Sequence, residues 1–187
     1  MGVERHGNSV KERGMFSMNN ALIFDERRGT IFLLCLFYAL HMVEEFSCGF
    51  VAWADRYFGN FDWTQNLIGN ALFFVGLSTG CYLHYRNPTK YLWVGMAGVM
   101  WILANAFIHI SSTILGQEFS PGVVTATTIY VPGGLCMLWL WNRKGLLTWK
   151  NTVLSFVVGG MLFMLVPTFG RAIHFHAQFA RIFHLAG

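Results

Sequence analysis

The sequence predicts an all-α protein, a polytopic bundle of transmembrane helices, and three observations lead to this fold class. Hydrophobic residues make up 55% of the 187 residues and charged residues only 12%, whereas charged residues average about 25% in soluble proteins. Long apolar runs alternate with short polar stretches, and each run can cross a hydrocarbon core of about 30 Å. The basic residues lie between the runs as topological markers, so the net charge of +4 does not indicate nucleic-acid binding.

The apolar runs predict five spans within one domain at residues 29–187, after a polar tail at residues 1–28. The tail has no apolar core, so it is neither a signal peptide nor a span. The predicted spans are residues 29–57, 64–84, 90–115, 121–141 and 147–179. Pro132 predicts a kink in the fourth span. If Pro167 breaks the last span, the bundle has six spans instead.

The basic residues also predict an orientation. Ten of the 13 Lys and Arg residues fall on the side of the N-terminus, and only Arg56, Arg171 and Arg181 fall on the other side. Positive residues collect on the cytoplasmic side of a membrane. We therefore expect a bacterial plasma (inner) membrane protein with its N-terminus in the cytoplasm and its C-terminus outside.

The first span contains the polar stretch from His41 to Glu45, with ionisable side chains at His41, Glu44 and Glu45. Such side chains are costly in hydrocarbon and mark functional sites or buried partners. Spacings of three and four residues place the three side chains on one helix face. The stretch therefore predicts that they converge on one ion, ligand or counter-charge.

Four other spans carry polar residues at a similar depth, in the half of the membrane away from the N-terminus. The second span contributes Asn70 and the third contributes Asn105 and His109, which are four residues apart on one face. The fourth contributes threonines near its start, and the fifth contributes Arg171 and His174. The agreement in depth predicts one buried polar site.

Histidines and carboxylates without a clustered thiolate are typical ligands of zinc or iron. We predict a divalent transition-metal centre of one or two ions, with five candidate ligands: His41, Glu44, Glu45, His109 and His174. Glu45 is the second carboxylate ligand or a general base. Asn70 and Asn105 orient ligands or hydrogen-bond the substrate, and we count them with Glu45 as candidate catalytic residues.

Two alternatives concern the same residues. Arg171 is predicted at a similar depth, so it could pair with Glu44 or Glu45 in an ion pair that only orders the bundle. His176 lies two residues from His174 on a different helix face, so only one of the two is expected to be a ligand. His84 lies at a span boundary and is predicted to be an interfacial side chain.

Three motifs together resemble the bacterial HXXEE-domain proteins, a family of small integral membrane proteins. The motifs are the His41–Glu45 stretch, the Asn105 and His109 pair, and the segment from Ser120 to Ala126. The likeness covers roughly residues 31–168. It implies a compact helical membrane domain with these polar positions as its signature, and it implies no particular activity.

The residues themselves favour a metal-dependent enzyme that acts on a lipid-like or isoprenoid-like substrate entering from the bilayer. The reaction could be a hydrolysis, an isomerisation or an oxidation. A transporter or binding protein for protons or a divalent cation would use the same cluster. Haem held by two histidines would leave the glutamates without a role. Partners are expected to be the bilayer, a hydrophobic small molecule and a second copy of the chain.

Overall fold

The computed structural model describes residues 28–159 and 161, and every regular element in this part of the chain is helical. Four helical segments are long and apolar enough to cross a membrane: Gly29–Ser47, Trp63–Arg86, Leu92–Gly116 and Val123–Arg143. The prediction of an all-α bundle is thereby confirmed. The polar tail and most of the fifth predicted span lie outside the described residues, so the choice between five and six spans stays a prediction.

The first span is shorter than the sequence predicts. After a 3₁₀ turn at Arg28–Phe32, helix α1 covers Leu33–Ser47, and a separate short helix α2 covers Phe50–Phe58. Gly49 lies between them with φ +77°, a left-handed conformation that ends a helix and that glycine adopts without strain. The predicted helix over residues 29–57 is therefore wrong, because hydropathy does not register a single glycine within an apolar run.

Helices α3 and α4 form the central hairpin of the bundle. Helix α3 covers Trp63–Arg86, and the side chain of Asp62 caps it by accepting a 2.8 Å hydrogen bond from the Gln65 amide. Helix α4 covers Leu92–Gly116, and the residue that caps its C-terminus, Gln117, has φ +51°. The short connection after Arg86 makes the two helices antiparallel neighbours.

Helix α5 covers Val123–Arg143 and contains a π-helical segment at Ala126–Tyr130. In this segment the Val131 amide donates to the carbonyl of Ala126, five residues earlier. The irregularity thus precedes the predicted position at Pro132, because the proline ring crowds the carbonyl four residues before it and the wider turn accommodates it. A last helix, α6, is described over residues 149–159, and its Ser155 hydroxyl oxygen lies 3.0 Å from the Trp93 carbonyl oxygen of α4.

The core lies where α1, α3, α4 and α5 meet. Its central layer is aromatic: the ring of Tyr38 packs 5.0 Å from Phe73 and 5.5 Å from Trp101. Leu34 and Ile102 are fully buried below this layer. Tyr38 lies one turn before His41 on α1, so the aromatic layer is the floor of the polar site described next.

Candidate metal centre

The polar residues gather where α1 and α4 end and α5 begins, which we call the site end of the bundle. His41 and Glu45 lie on α1 and His109 lies on α4. Their exposed fractions are 1%, 4% and 3%. Three ionisable side chains are thus almost completely removed from solvent at one place, which requires that they compensate one another or bind a charge.

Two of the three distances within this group match those between neighbouring ligands of a metal ion. The Nε2 atoms of His41 and His109 each lie 3.3 Å from the same carboxylate oxygen, Glu45 Oε1. The three atoms lie within 4.8 Å of one another. Ligands bound at about 2.0–2.2 Å to a tetrahedral zinc ion are about 3.3–3.5 Å apart. His41, Glu45 and His109 could therefore hold a metal.

The hydrogen bonds around His41 indicate which of its two ring nitrogens carries the hydrogen. They also indicate which nitrogen faces Glu45 with a lone pair. The Thr125 hydroxyl donates to Glu44 Oε2 over 2.6 Å, so its oxygen accepts from Nδ1–H of His41 over 2.7 Å. In a neutral imidazole Nε2 then carries no hydrogen. Nε2 is buried and has no hydrogen-bond partner among the described residues, although the carboxylate oxygen is 3.3 Å away. Two electron-rich atoms at this distance repel unless a proton or a metal cation lies between them.

His109 is held by the loop between α4 and α5. Its Nδ1 lies 3.0 Å from the Ser120 hydroxyl oxygen. The Ser120 amide donates to the hydroxyl of Thr113, which donates to the His109 carbonyl. This ring of contacts orients the imidazole so that Nε2 faces Glu45, which is how outer contacts commonly orient metal ligands.

Glu44, which was predicted to be a ligand, does not lie with His41, Glu45 and His109. Its two carboxylate oxygens accept four hydrogen bonds at the start of α5: from the amides of Gly122, Val124 and Thr125 and from the Thr125 hydroxyl. Free amides at a helix N-terminus attract a negative charge. The adjacent glutamates thus have different surroundings: Glu44 caps a helix and Glu45 faces the two histidines.

The backbone of Gly122 passes close to both histidines of the centre. With φ +102°, it has a conformation that favours glycine. A Cβ at this position would lie 2.6 Å from Cε1 of His41 and 2.8 Å from Cε1 of His109. Only a residue without a side chain allows the α5 backbone to pass this close to both imidazoles.

The other predicted site residues have different positions. Asn70 donates to the backbone and side-chain oxygens of Asn66 and accepts from the Tyr38 hydroxyl, so it belongs to a polar network beside the aromatic layer. Asn105 lies one turn before His109, and its Oδ1 is buried without a hydrogen-bond partner in the described part of the chain. His174, His176 and Arg171 lie outside the described residues, so their roles stay predictions.

Sequence reasoning assigned no role to the residues that orient the ligands, although it placed Thr125 at the depth of the site. Ser120, Gly122 and Thr125 all contact the histidines or the glutamates directly. The motif from Ser120 to Ala126 contains all three, so it was the available signal. Serine, glycine and threonine have no metal-ligand chemistry that would have shown why the motif matters.

Helix α2 covers the site end. The rings of Phe50 and Trp53 lie 6.0 Å and 6.4 Å from the His109 ring. On the outer side of α2 the Tyr57 hydroxyl donates to Glu118 over 2.8 Å, and Arg56 lies 3.4 Å from the same carboxylate. The loop after α4 therefore fastens α2 over His109.

The fold and the site together define a class: a helical protein with helices long and apolar enough to span a membrane and a buried His/Glu centre that could hold a metal. Within that class, the chain belongs to the HXXEE family. The profile described as "Protein of unknown function with HXXEE motif" matches residues 32–137, which is more than half of the chain. The match contains all three residues of the centre.

The chain is also similar to an uncharacterised bacterial protein. The chain is 29% identical over 87 residues to the "Uncharacterized protein YrkK" of Bacillus subtilis (strain 168). The aligned region covers 46% of this chain and 54% of that protein, so it spans about half of the relative. No solved structure matches the chain significantly.

Proposed function

We propose that the protein is a membrane-embedded metalloenzyme in which His41, Glu45 and His109 bind one divalent transition metal, zinc or iron. Its substrate is an amphiphile with a hydrocarbon chain. The observation that carries the proposal is the contact of one carboxylate oxygen with two imidazole nitrogens at 3.3 Å each, in a site closed to solvent.

The number of ligands favours catalysis over a structural role. Structural zinc sites are closed by four protein ligands, whereas catalytic sites use three and leave a position for water or substrate. Two histidines with one carboxylate are also the set of non-haem iron oxygenases. A metal at such a site polarises a substrate oxygen or supplies a bound hydroxide at neutral pH.

An apolar groove in the same helices supports a hydrocarbon chain as part of the substrate. It has a volume of about 570 Å³ and runs along α3 and α4, with Val158 of α6 at its border. Five glycines are among its lining residues, Gly69, Gly76, Gly80, Gly95 and Gly98, and a Cβ added at Gly76 would meet nothing within 4 Å. Phe73 and Trp101 line it and also pack against Tyr38, one turn before His41. The groove thus approaches the floor of the site.

The test combines metal analysis with lipid analysis. Detergent-purified protein is assayed for zinc, iron and manganese, and then reconstituted into vesicles of a total bacterial lipid extract. We expect one metal per chain and a metal-dependent change in one class of lipid, followed by mass spectrometry. Glu45→Gln and chelated protein should leave the lipids unchanged.

Two results would contradict this function. Protein without stoichiometric metal would remove the metal centre. Metal-loaded protein that changes no lipid but moves a divalent cation or protons across the vesicle membrane would establish a transporter. Haem held by His41 and His109 is disfavoured, because their ring centroids are 4.8 Å apart and one carboxylate oxygen contacts both Nε2 atoms.

A further inference from the structure

Three buried polar atoms around the centre have no hydrogen-bond partner among the described residues: His41 Nε2, Asn105 Oδ1 and the Tyr130 hydroxyl. A buried polar group without a partner costs about 1–3 kcal/mol. The metal accounts for His41 Nε2. The other two atoms are an acceptor and a hydroxyl, which together can bind a ligand that has both an acceptor and a donor.

The π-helical segment is what brings Tyr130 to the centre. Its i→i+5 hydrogen bonds fit about one additional residue into a turn, so residues five apart lie nearly one above the other. Thr125 and Tyr130 are five apart, and both contact His41: the threonine at Nδ1 over 2.7 Å and the tyrosine ring at a centroid distance of 4.6 Å. π-Helical turns are frequent at functional sites.

Tyr130 also differs from the other tyrosine next to His41. Tyr38 donates its hydroxyl to the side chain of Asn70. Tyr130 is completely buried, and its hydroxyl has no such acceptor in the described part of the chain. Asn105 approaches from α4, one turn before His109 on the same face. The two side chains therefore belong to different helices that both contribute to the site end of the bundle.

We propose that Tyr130 and Asn105 bind the head group of the substrate at the open position of the metal, an inference that rests on the proposed function. The Tyr130 hydroxyl donates to the substrate oxygen that binds the metal. The Asn105 Oδ1 atom accepts from an N–H or O–H of the same head group. The substrate class is an amphiphile with a hydroxylated or amide head group, because a phosphodiester without such groups offers no donor to Asn105.

Two small metal-binding probes test the two hydrogen bonds separately. Acetohydroxamate has oxygen atoms that accept and an N–H that donates, whereas azide can only accept. The full-length protein is loaded with Co²⁺, and the dissociation constant of each probe is measured from the visible absorption of the metal. The variants are Tyr130→Phe and Asn105→Leu, with Tyr38→Phe as a matched control.

We expect Tyr130→Phe to weaken both probes about 3- to 10-fold, the effect of one hydrogen bond. Asn105→Leu should weaken acetohydroxamate by a similar factor and leave azide unchanged. Tyr38→Phe should change neither, and all three variants should bind Co²⁺ as the wild type does. If Tyr130→Phe and Asn105→Leu leave the probe affinities unchanged, this inference is wrong while the metal centre stands. The same conclusion follows if a lower melting temperature is the only effect of the two variants. A wild type that binds no Co²⁺ would overturn both this inference and the metal centre.

Discussion

Buried histidines occur at both ends of this bundle, and only their partners distinguish the two regions. At the site end, His41 and His109 share one carboxylate oxygen of Glu45. At the opposite end, His84 is also buried, with 6% exposure, but its Nδ1 lies 3.2 Å from the backbone carbonyl of Tyr91. A carbonyl accepts only from an N–H, so that nitrogen carries its hydrogen and is satisfied.

The packing around the two groups differs in the same way. The His84 ring lies against Gly95, where an added Cβ would be 2.7 Å from Nδ1, and its ring centroid is 6.1 Å from that of Trp141. In the described part of the chain, His41, Glu45 and His109 are the one group of three such side chains close enough to share an ion. Burial of a histidine therefore does not by itself indicate a metal site. A carboxylate that contacts two histidine nitrogens, where no backbone carbonyl competes for them, does indicate one. His84 lies two residues before the end of α3, at the predicted span boundary, and its side chain is covered by the helix hairpin.

The largest expected effect tests this difference directly. His109→Ala should weaken Zn²⁺ or Fe²⁺ binding by about three orders of magnitude, since each ligand contributes a few kcal/mol of the total binding energy. The matched change at the opposite end, His84→Ala, should leave metal affinity within about twofold. Competition with a chromophoric chelator measures both. Equal losses in the two variants would mean that the histidines affect the metal only through folding.

A second comparison uses two glycines. Gly122→Ala should lower the free energy of unfolding by about 2–3 kcal/mol, because the new Cβ meets both imidazoles and the positive φ is unfavourable. Gly76 lies inside α3, and a Cβ there meets nothing within 4 Å. Gly76→Ala should therefore stabilise the protein by about 0.5–1 kcal/mol. Unfolding in detergent by chemical denaturant measures both changes.

If Gly122→Ala were as stable as the wild type, the close approach of the α5 backbone to the two imidazoles would be wrong. The metal affinity of any folded Gly122→Ala protein adds a second measurement. Displacement of either imidazole should weaken metal binding, whereas Gly76→Ala should leave it unchanged.

A third comparison separates the neighbouring glutamates. Glu44→Gln should destabilise the fold by about 1–2 kcal/mol, because an amide group replaces one accepting oxygen and the charge at the start of α5 is lost. Since His41 keeps its Nδ1 contact with Thr125, metal stoichiometry should be retained. Glu45→Gln should weaken metal binding about as strongly as His109→Ala, because it also removes one ligand. Metal analysis and thermal unfolding of the two variants distinguish a helix cap from a ligand, and loss of metal in both would contradict the assignment.

Much of this arrangement was accessible from the sequence. Apolar runs predicted the four candidate spans that the structure describes, although the first was predicted too long. A common depth predicted that His41, Glu44, Glu45, His109 and His174 meet, and the structure brings three of them together, His41, Glu45 and His109. Both predictions follow from periodicity and helix rise alone. The break at Gly49 was missed, because hydropathy averages over a window and does not depend on the backbone angles of one residue.

The different environments of Glu44 and Glu45 could not be predicted, because both carboxylates lie on the same broad face of α1. Their partners depend on where the segment from Ser120 to Thr125 returns to the bundle, which is a long-range property of the fold. The same holds for Tyr130, since only the π-helical segment turns it toward His41. Local sequence patterns were enough to identify the candidate ligands. Only the tertiary contacts show which side chain each of them faces.

The smallest predicted effect concerns the surface contact that fastens α2 over the site end. The hydrogen bond from Tyr57 holds the pKa of Glu118 below its usual range, and the same bond raises the pKa of the Tyr57 phenol. A carboxyl with a lowered pKa stabilises the fold above its ordinary pKa and loses that contribution as the pH falls through the lowered value. A phenol with a raised pKa loses its contribution as the pH rises through the raised value.

Tyr57→Phe should therefore lower the unfolding midpoint by about 1–2 °C near neutral pH, a small change because both side chains lie at the surface. The difference from the wild type should vanish in acid, where Glu118 is protonated. Tyr85→Phe, at the opposite end of the bundle, is the control and should show no such pH dependence. A Tyr57→Phe difference that persisted unchanged in acid would mean that ring packing, rather than the Glu118 carboxylate, holds α2 in place.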